Sequence, residues 1–138
     1  MGVEEEPIHQ LSAYTLNHGD PAFIHQHVVD AYFAQTANER TKPIAITFAL
    51  AGLYLHFEKG FNGREVQLAH MKMAKNKRPW PSFSLPEDRG AITVREVLAA
   101  PVGERRDAMI EAWAAAVWAA FRDSRDTVAE VLRQCRIT

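Results

Sequence analysis

The feature that most constrains this chain is an uncharged apolar stretch at residues 44–57, which reads IAITFALAGLYLHF. Its apolar side chains fall at every angle around a helix, and a helix that is apolar on all sides needs protein on all sides. The stretch is also shorter than the roughly 20 residues that cross a bilayer. The sequence therefore predicts a buried central helix, at about residues 43–58, in a helical bundle with no membrane span.

Composition narrows the class of protein further. The 138 residues are 47% hydrophobic and 24% charged, which is typical of one globular domain with its own core. A formal net charge of −1 gives no electrostatic case for binding nucleic acid or an anionic membrane. The single cysteine, Cys135, excludes an internal disulfide, and residues 1–7, expected to be flexible, lack the features of a signal peptide. We therefore expect a cytoplasmic protein.

Cap and turn residues mark the helix ends that precede the central stretch. A short helix is predicted over residues 8–17. Asp20 and Pro21 predict the start of a second helix, because aspartate caps helices and proline suits the first helical position. That helix is expected to run to Thr36. Thr41 is the predicted cap of the central helix.

Two capping boxes mark helices that follow the central one. Asn62 with Glu65 approximates such a box and opens a helix over residues 63–76, and Thr93 with Glu96 opens a short one. The first of these helices has an inward stripe at the spacing of an amphipathic helix. The stripe consists of Val66, Ala69, His70 and Met73.

The connection between these two helices, residues 77–90, contains three prolines and is long for an unstructured loop. A loop of that length in a compact domain covers something or carries function. Trp80 and Phe83 are the predicted anchors that hold it to the bundle.

The last helical pattern is the longest. Apolar and small residues recur at steps of three and four, which one helix over residues 103–134 satisfies, and a break at residues 123–126 is the alternative. Trp118 lies off this stripe and indicates a second packed surface, either a subunit contact or the resting place of the Trp80 loop. The whole pattern predicts an all-α single domain over residues 1–138. It has four main helices around the buried central helix, short extra helices and one long tryptophan-containing loop.

Six histidines are the polar residues most suited to forming a site. Imidazole titrates near neutrality and is the commonest metal ligand. No helix carries His-x-x-x-His or Glu-x-x-His, the spacings that place two ligands on one face. A divalent metal ion, the candidate cofactor, would therefore need single ligands from separate helices, and the candidates are His27, His70 and His18. The alternative is that the histidines lie at the edge of the core, bonded to backbone or carboxylate partners.

The same histidines predict a polar pocket for a small ligand. Asp30 follows His27 by three residues and is close enough on a helix to hold that ring in one tautomer. Gln67 and His70 share a helix, and each buried polar group without a partner would cost about 1–3 kcal/mol. His56 is expected to be exposed at the end of the central helix. The candidate pocket residues are His25, His27, Asp30, Tyr32, Gln67, His70 and Trp80.

A basic run precedes Trp80 and consists of Lys72, Lys75, Lys77 and Arg78. Lysines and aromatic side chains are combined in proteins that bind single-stranded nucleic acid. The solvent face and last turn of a helix carry the same residues, and the near-neutral net charge favours that interpretation. No nucleic-acid partner is expected.

Several segments resemble a family of small bacterial proteins known only as a domain of unknown function. The matching segments are YTLNHGDP at 14–21, HQHVVDAY at 25–32, KPI at 42–44, GLYL at 52–55, GREVQ at 63–67 with His70, WP at 80–81, and Trp113 with Trp118. They are spread over roughly residues 14–133. The resemblance implies an all-helical fold and brings no activity with it. Relatives in the wider group begin with a Cys-Pro-x-Cys-like segment that this sequence lacks, so it implies no zinc ribbon.

Two hypotheses of function follow. The first is a histidine-lined pocket that binds a small ligand or a metal ion, with His70 and one of His25 and His27 as ligands or general base. Asp30 would orient the imidazole. The second is a non-catalytic structural or interaction module, homodimeric through the last helix, whose histidines only satisfy a core.

Overall fold

The computed structural model describes residues 5–17 and 22–138. These residues form seven α-helices and one 3-10 turn, and the described chain contains no strand. The predicted all-α class is therefore confirmed. None of the helices in these ranges is long and apolar enough to span a bilayer. The helices are α1 (Glu5–Leu16), α2 (His25–Thr36), α3 (Pro43–Lys59), α4 (Gly63–Ala74), α5 (Val94–Ala99), α6 (Glu104–Ala120) and α7 (Arg125–Gln134).

The central helix is α3, and it packs against α2, α4, α6 and α7. Pro43 occupies its first turn, where the missing N–H costs nothing, and Gly60 ends it with a φ of 74°. All residues from 46 to 55 except Phe48 are buried, as the apolar stretch predicted. The prediction that Thr41 caps this helix is wrong. Its hydroxyl accepts the Asn38 N–H at 2.9 Å within the preceding turn.

The start of α2 differs from the prediction. The two residues expected to open it, Asp20 and Pro21, lie outside the described residues, and the helix begins only at His25. Phe23 has a φ of 57°, in the left-handed region that a bulky side chain rarely adopts and that breaks a helical path. This backbone crosses the first turn of α4, where a Cβ on Gly63 would lie 1.8 Å from the Phe23 carbonyl oxygen. Tertiary packing therefore delays the start of α2.

Both predicted capping boxes are present. The Asn62 side chain accepts the Glu65 N–H at 2.9 Å, and the Glu65 carboxylate accepts the Asn62 N–H at 3.0 Å. Glu96 accepts the Thr93 N–H at 2.8 Å in the same way. On α4 the predicted stripe is buried at Val66, Ala69 and Met73 and half-buried at His70.

The loop of residues 77–90 has no helix or strand, as predicted, and both anchors pack against the core. Trp80 lies edge-on to Phe48, with ring centroids 5.3 Å apart. Arg89 adds an anchor that was not predicted. Its guanidinium donates to carbonyl oxygens at the end of α2, including that of Gln35 at 3.2 Å, which satisfies acceptors that a helix end leaves open.

The prediction of one long last helix is wrong, and the alternative of a break is confirmed. A 3-10 turn at Arg122–Ser124 separates α6 from α7, which allows α7 to fold back onto α3. Trp118 packs within the chain, edge-on to Tyr54, and its indole N–H donates to Glu58 at 3.0 Å. The second surface that Trp118 predicted is thus the face of α3, and Trp80 rests elsewhere.

Candidate functional site

Polar side chains line the contact between α2 and α3 in two successive turns. His27 stacks on His56, and one turn further along α2 the Asp30 carboxyl lies against Gly52. Because the partner number falls as the α2 number rises, the two helices run antiparallel. We call these four residues the polar seam. Its two halves differ in environment.

Asp30 is the buried half of the seam, with 2% of its surface exposed. Its Oδ1 accepts a hydrogen bond from Gln26 Nε2 at 3.1 Å, whereas Oδ2 has no hydrogen-bond partner among the described residues. Burial raises the pKa of the Asp30 carboxyl well above its usual range, and the Gln26 hydrogen bond offsets only part of that rise. A Cβ on Gly52 would lie 1.8 Å from Oδ2, so the carboxyl occupies space that only glycine leaves open.

His70 of α4 joins this buried group through Gln26. The His70 Nε2 lies 2.7 Å from the Phe48 carbonyl oxygen, which can only accept, so this nitrogen carries the proton. The Nδ1 atom lies 3.4 Å from Gln26 Nε2 and accepts from it in the neutral ring. Burial lowers the pKa of His70. One amide therefore joins a neutral imidazole to a carboxyl group that burial favours in its neutral form.

His56 is the charged half of the seam. Its Nδ1 donates to the Phe61 carbonyl oxygen at 2.7 Å, and its Nε2 donates to the Glu111 carboxylate at 2.6 Å. Since both nitrogens face acceptors, the ring is an imidazolium. The Glu111 carboxylate raises the pKa of His56, and His56 lowers the pKa of Glu111. The His27 ring stacks on His56, with centroids 3.8 Å apart and planes 26° apart.

This arrangement gives little support to the metal site predicted from His27, His70 and His18. Within the described residues no group of three or more His, Cys, Asp or Glu side chains is placed to hold a metal ion. Both nitrogens of His70 already face hydrogen-bond partners. A lone pair lies in its ring plane, so the nearly parallel rings of His27 and His56 do not point at one ion. His18 lies outside the described residues.

A groove of about 330 Å³ opens above the Asp30 group, between α2, α3 and the end of α4. We call it the α2–α4 groove. Its walls are apolar, and Phe33 and Ile44 at its edge are 49% and 42% exposed. Its polar groups are Gln26, Asp30 and His70. The complete lining is Gln26, Val29, Asp30, Phe33, Ile44, Ala45, Phe48, Ala49, His70 and Ala74.

The groove and the polar seam lie in a part of the chain that one family model matches. The model describes DUF5946, a family of unknown function, and it matches residues 5–122. The chain belongs to the DUF5946 family. No curated protein and no solved structure shows significant similarity to it. The matched range contains α1 to α6 and therefore every residue of both the groove and the seam.

The other predicted pocket residues of this DUF5946 chain lie apart from the groove. His25 Nδ1 is 2.9 Å from the Thr15 hydroxyl, and burial lowers the pKa of His25. Gln67 accepts from Arg64 at 2.7 Å on the outer side of α4. Tyr32 and Trp80 line two separate cavities, of about 520 Å³ beside α5 and about 590 Å³ beside α7. Of the seven predicted pocket residues, the α2–α4 groove brings together Asp30 and His70.

Four site residues of this DUF5946 chain were not predicted. The expectation that His56 is exposed is wrong, because its ring is half-buried between His27 and Glu111. Glu111 is 55 residues from His56, and no local pattern joins them. Gln26 lies between His25 and His27, and only the two histidines were predicted as site residues. Gly52 carried a signal, since glycine within an apolar helix often marks a close approach.

Proposed function

We propose that this DUF5946 protein binds a small molecule in the α2–α4 groove. The observation that carries the proposal is the combination of apolar walls with three polar side chains in the lining, Gln26, Asp30 and His70, which Gln26 links to one another. Ligand sites are generally clefts of about 300–1,000 Å³ with apolar walls and a few convergent polar groups. The groove, at about 330 Å³, falls at the small end of that range.

The energetics of the free protein support this proposal. A carboxyl with only 2% of its surface exposed has lost most of its hydration, and a ligand group that donates to it would supply a polar partner in place of water. Burial of the exposed rings and alkyl groups at the groove edge by a ligand would add a second favourable contribution to the binding free energy. Covering apolar surface is worth roughly 25 cal/mol per Å². A ligand with an apolar body and one polar group therefore fits both parts of the groove.

The homodimer and metal hypotheses have less physical support. The apolar side chains of α7 face the core, and the large apolar side chains that the described chain exposes lie elsewhere. They are Leu16, Phe33, Ile44, Leu68, Met71 and Val102. A divalent metal ion bound at the His70 Nδ1 would displace the hydrogen bond from Gln26. A cytoplasmic location remains our proposal, with which the buried free thiol of Cys135 is compatible.

The test is binding of 1-hexanol, a small amphiphile, measured by calorimetry and by its effect on the melting temperature. Ala74 is exposed at the groove edge, so Ala74→Trp would fill the groove from outside the core. Ala119→Trp is the matched control, because Ala119 is also exposed near a helix end. We expect the wild type and the control to bind and Ala74→Trp to lose binding at least about tenfold, or about 1.4 kcal/mol.

Equal binding by both tryptophan variants would place the ligand elsewhere and contradict the proposal. The same samples test the other hypotheses. A stoichiometric metal whose removal by a chelator lowers the melting temperature would support a metal site. A melting temperature that rises with protein concentration would support a homodimer, because dimer stability depends on protomer concentration.

A further inference from the structure

The charges around the α2–α4 groove restrict the class of ligand. None of the ten lining residues is a lysine or an arginine, so the described groove offers no cation to an anionic ligand. His70 does not supply one, because its Nδ1 accepts from Gln26 and its Nε2 donates to a carbonyl. The single acidic side chain in the lining is Asp30.

Asp30 has a hydrogen-bond donor but no counter-ion among its recorded contacts. Gln26 supplies one N–H to Oδ1, and the structure gives the carboxyl no ion pair with any described residue. A buried carboxylate of this kind is costly unless a cation pairs with it. An ionised carboxylate shares its charge between both oxygens, so a cation at either oxygen would neutralise it. When Asp30 is ionised, the lining therefore holds one negative charge that no described cation balances.

The groove walls suit the uncharged body of a ligand that carries one positive charge. Phe33 and Phe48 present aromatic rings to the groove, and aromatic faces attract cations within about 6 Å. The remaining wall residues are aliphatic, which suits an alkyl or aryl body. Only 2% of the Asp30 surface is exposed, so there is little space beside its carboxyl. A compact charged group fits there better than a bulky one.

We infer that the ligand of the α2–α4 groove is a primary amine on an apolar body, whose ammonium group pairs with the Asp30 carboxylate. This inference rests on the proposed function. The amine enters in its protonated form, and the proton held by the Asp30 carboxyl passes to water. Apart from this proton transfer, no covalent bond forms or breaks. Gln26 continues to donate to Oδ1, so binding requires no rearrangement of the amide.

The experiment compares hexylamine, 1-hexanol and hexanoate, which have bodies of the same length and different charges. We expect the wild type to bind hexylamine at least about tenfold more tightly than 1-hexanol and to bind hexanoate most weakly. Asp30→Asn keeps the size of the side chain and removes its charge, and it should bring hexylamine and 1-hexanol within about twofold of each other. Asp123→Asn, at an exposed position outside the groove, is the control and should keep the tenfold preference.

A second measurement uses the wild type alone and does not depend on a folded variant. The carboxyl ¹³C resonance of Asp30 should move toward the ionised position with saturating hexylamine and stay unchanged with 1-hexanol. The inference is overturned if the amine has no preference over the alcohol, if Asp30→Asn keeps that preference, or if the resonance does not move. Groove-dependent binding of 1-hexanol with no amine preference would leave the proposed function standing. If neither compound binds in an Ala74-dependent way, both ideas fail.

Discussion

The two halves of the polar seam lie on the same pair of helices and yet hold opposite charge states. At Asp30, and at His70 of α4, which Gln26 joins to it, the hydrogen-bond partners are an amide and a backbone carbonyl, and burial favours the neutral form of each side chain. At His56, one turn further along α3, a carboxylate accepts from the ring and favours the imidazolium. The difference shows that the available partner, rather than residue type, decides which half carries charge. It is also why the amine proposed as the ligand is placed at Asp30, whose carboxyl has no described counter-ion, rather than at His56.

The largest effect is expected from closing the space that Asp30 uses. In Gly52→Ala the new Cβ would lie 1.8 Å from Oδ2, and the Gln26 hydrogen bond restrains the carboxyl from turning away. Overpacking of a core costs about 1–3 kcal/mol, which exceeds the gain of up to about 1 kcal/mol from replacing glycine in a helix. We expect urea denaturation to show a lower free energy of unfolding.

The double variant Gly52→Ala with Asp30→Ala is the control for this prediction. Without the carboxyl the alanine methyl has room, so the cost of Gly52→Ala should become smaller in that background. A single variant as stable as the wild type would show that Asp30 is free to move, and the seam would then be less rigid than its geometry indicates.

A smaller effect on the free energy of unfolding is expected at the charged half of the polar seam. Glu111→Gln removes the carboxylate that pairs with His56 and should lower the free energy of unfolding by roughly 0.5–1 kcal/mol at pH 6, a small value because Glu111 is 47% exposed. The folded pKa of His56 is raised, so this stabilisation is present below the unfolded value of about 6.5. It is lost as the pH rises through the folded pKa.

Urea denaturation at pH 6 and pH 9 checks this dependence. The difference between the wild type and Glu111→Gln should shrink at pH 9, whereas Glu104→Gln, at an exposed position in the first turn of α6, should show no such change. A difference that is the same at both pH values would mean that His56 is not charged in the folded protein.

The smallest perturbation is a titration that changes no residue. Imidazole NMR resonances should show His56 titrating above its ordinary value of about 6.5, and His25 and His70 titrating below it. For His70 the lowered folded pKa means that stability is lost as the pH falls below about 6.5, the reverse of His56. If His70 titrated above His56, the assignment of the two halves would be wrong.

Much of the fold could be predicted from local sequence because the deciding interactions are local. The apolar stretch defines α3, and the capping boxes at Asn62 and Thr93 act over three residues. The start of α2 could not be found in this way. The left-handed conformation of Phe23 depends on its close approach to Gly63, which is 40 positions away in the chain and adjacent only in the folded protein.

The candidate site was partly predictable, because some of its residues are placed by local helical spacing and others by contacts between distant helices. Helical spacing predicted that His70 lies on the inward stripe of α4 and that Asp30 lies beside His27, and the structure places Asp30 and His70 in the lining of the α2–α4 groove. The expected partner of Asp30 was His27, whereas Asp30 Oδ1 accepts its hydrogen bond from Gln26. Spacing identifies a face of a helix, but rotamers and the neighbouring helices determine which of two side chains lies within hydrogen-bonding distance. The pairing of His56 with Glu111 depends on how α3 and α6 pack, which no local pattern encodes.

The hydrogen bond between the Ala22 carbonyl and the Arg64 N–H, 3.1 Å long, ties the entry of α2 to the first turn of α4. This bond holds the first turns of the two helices together, so the distance between them can change more easily at their last turns. The last turns of these two helices carry Phe33 and Ala74, which line the groove. If the groove binds a molecule as proposed, we therefore expect any adjustment to a larger one to occur at these last turns rather than at the joined first turns.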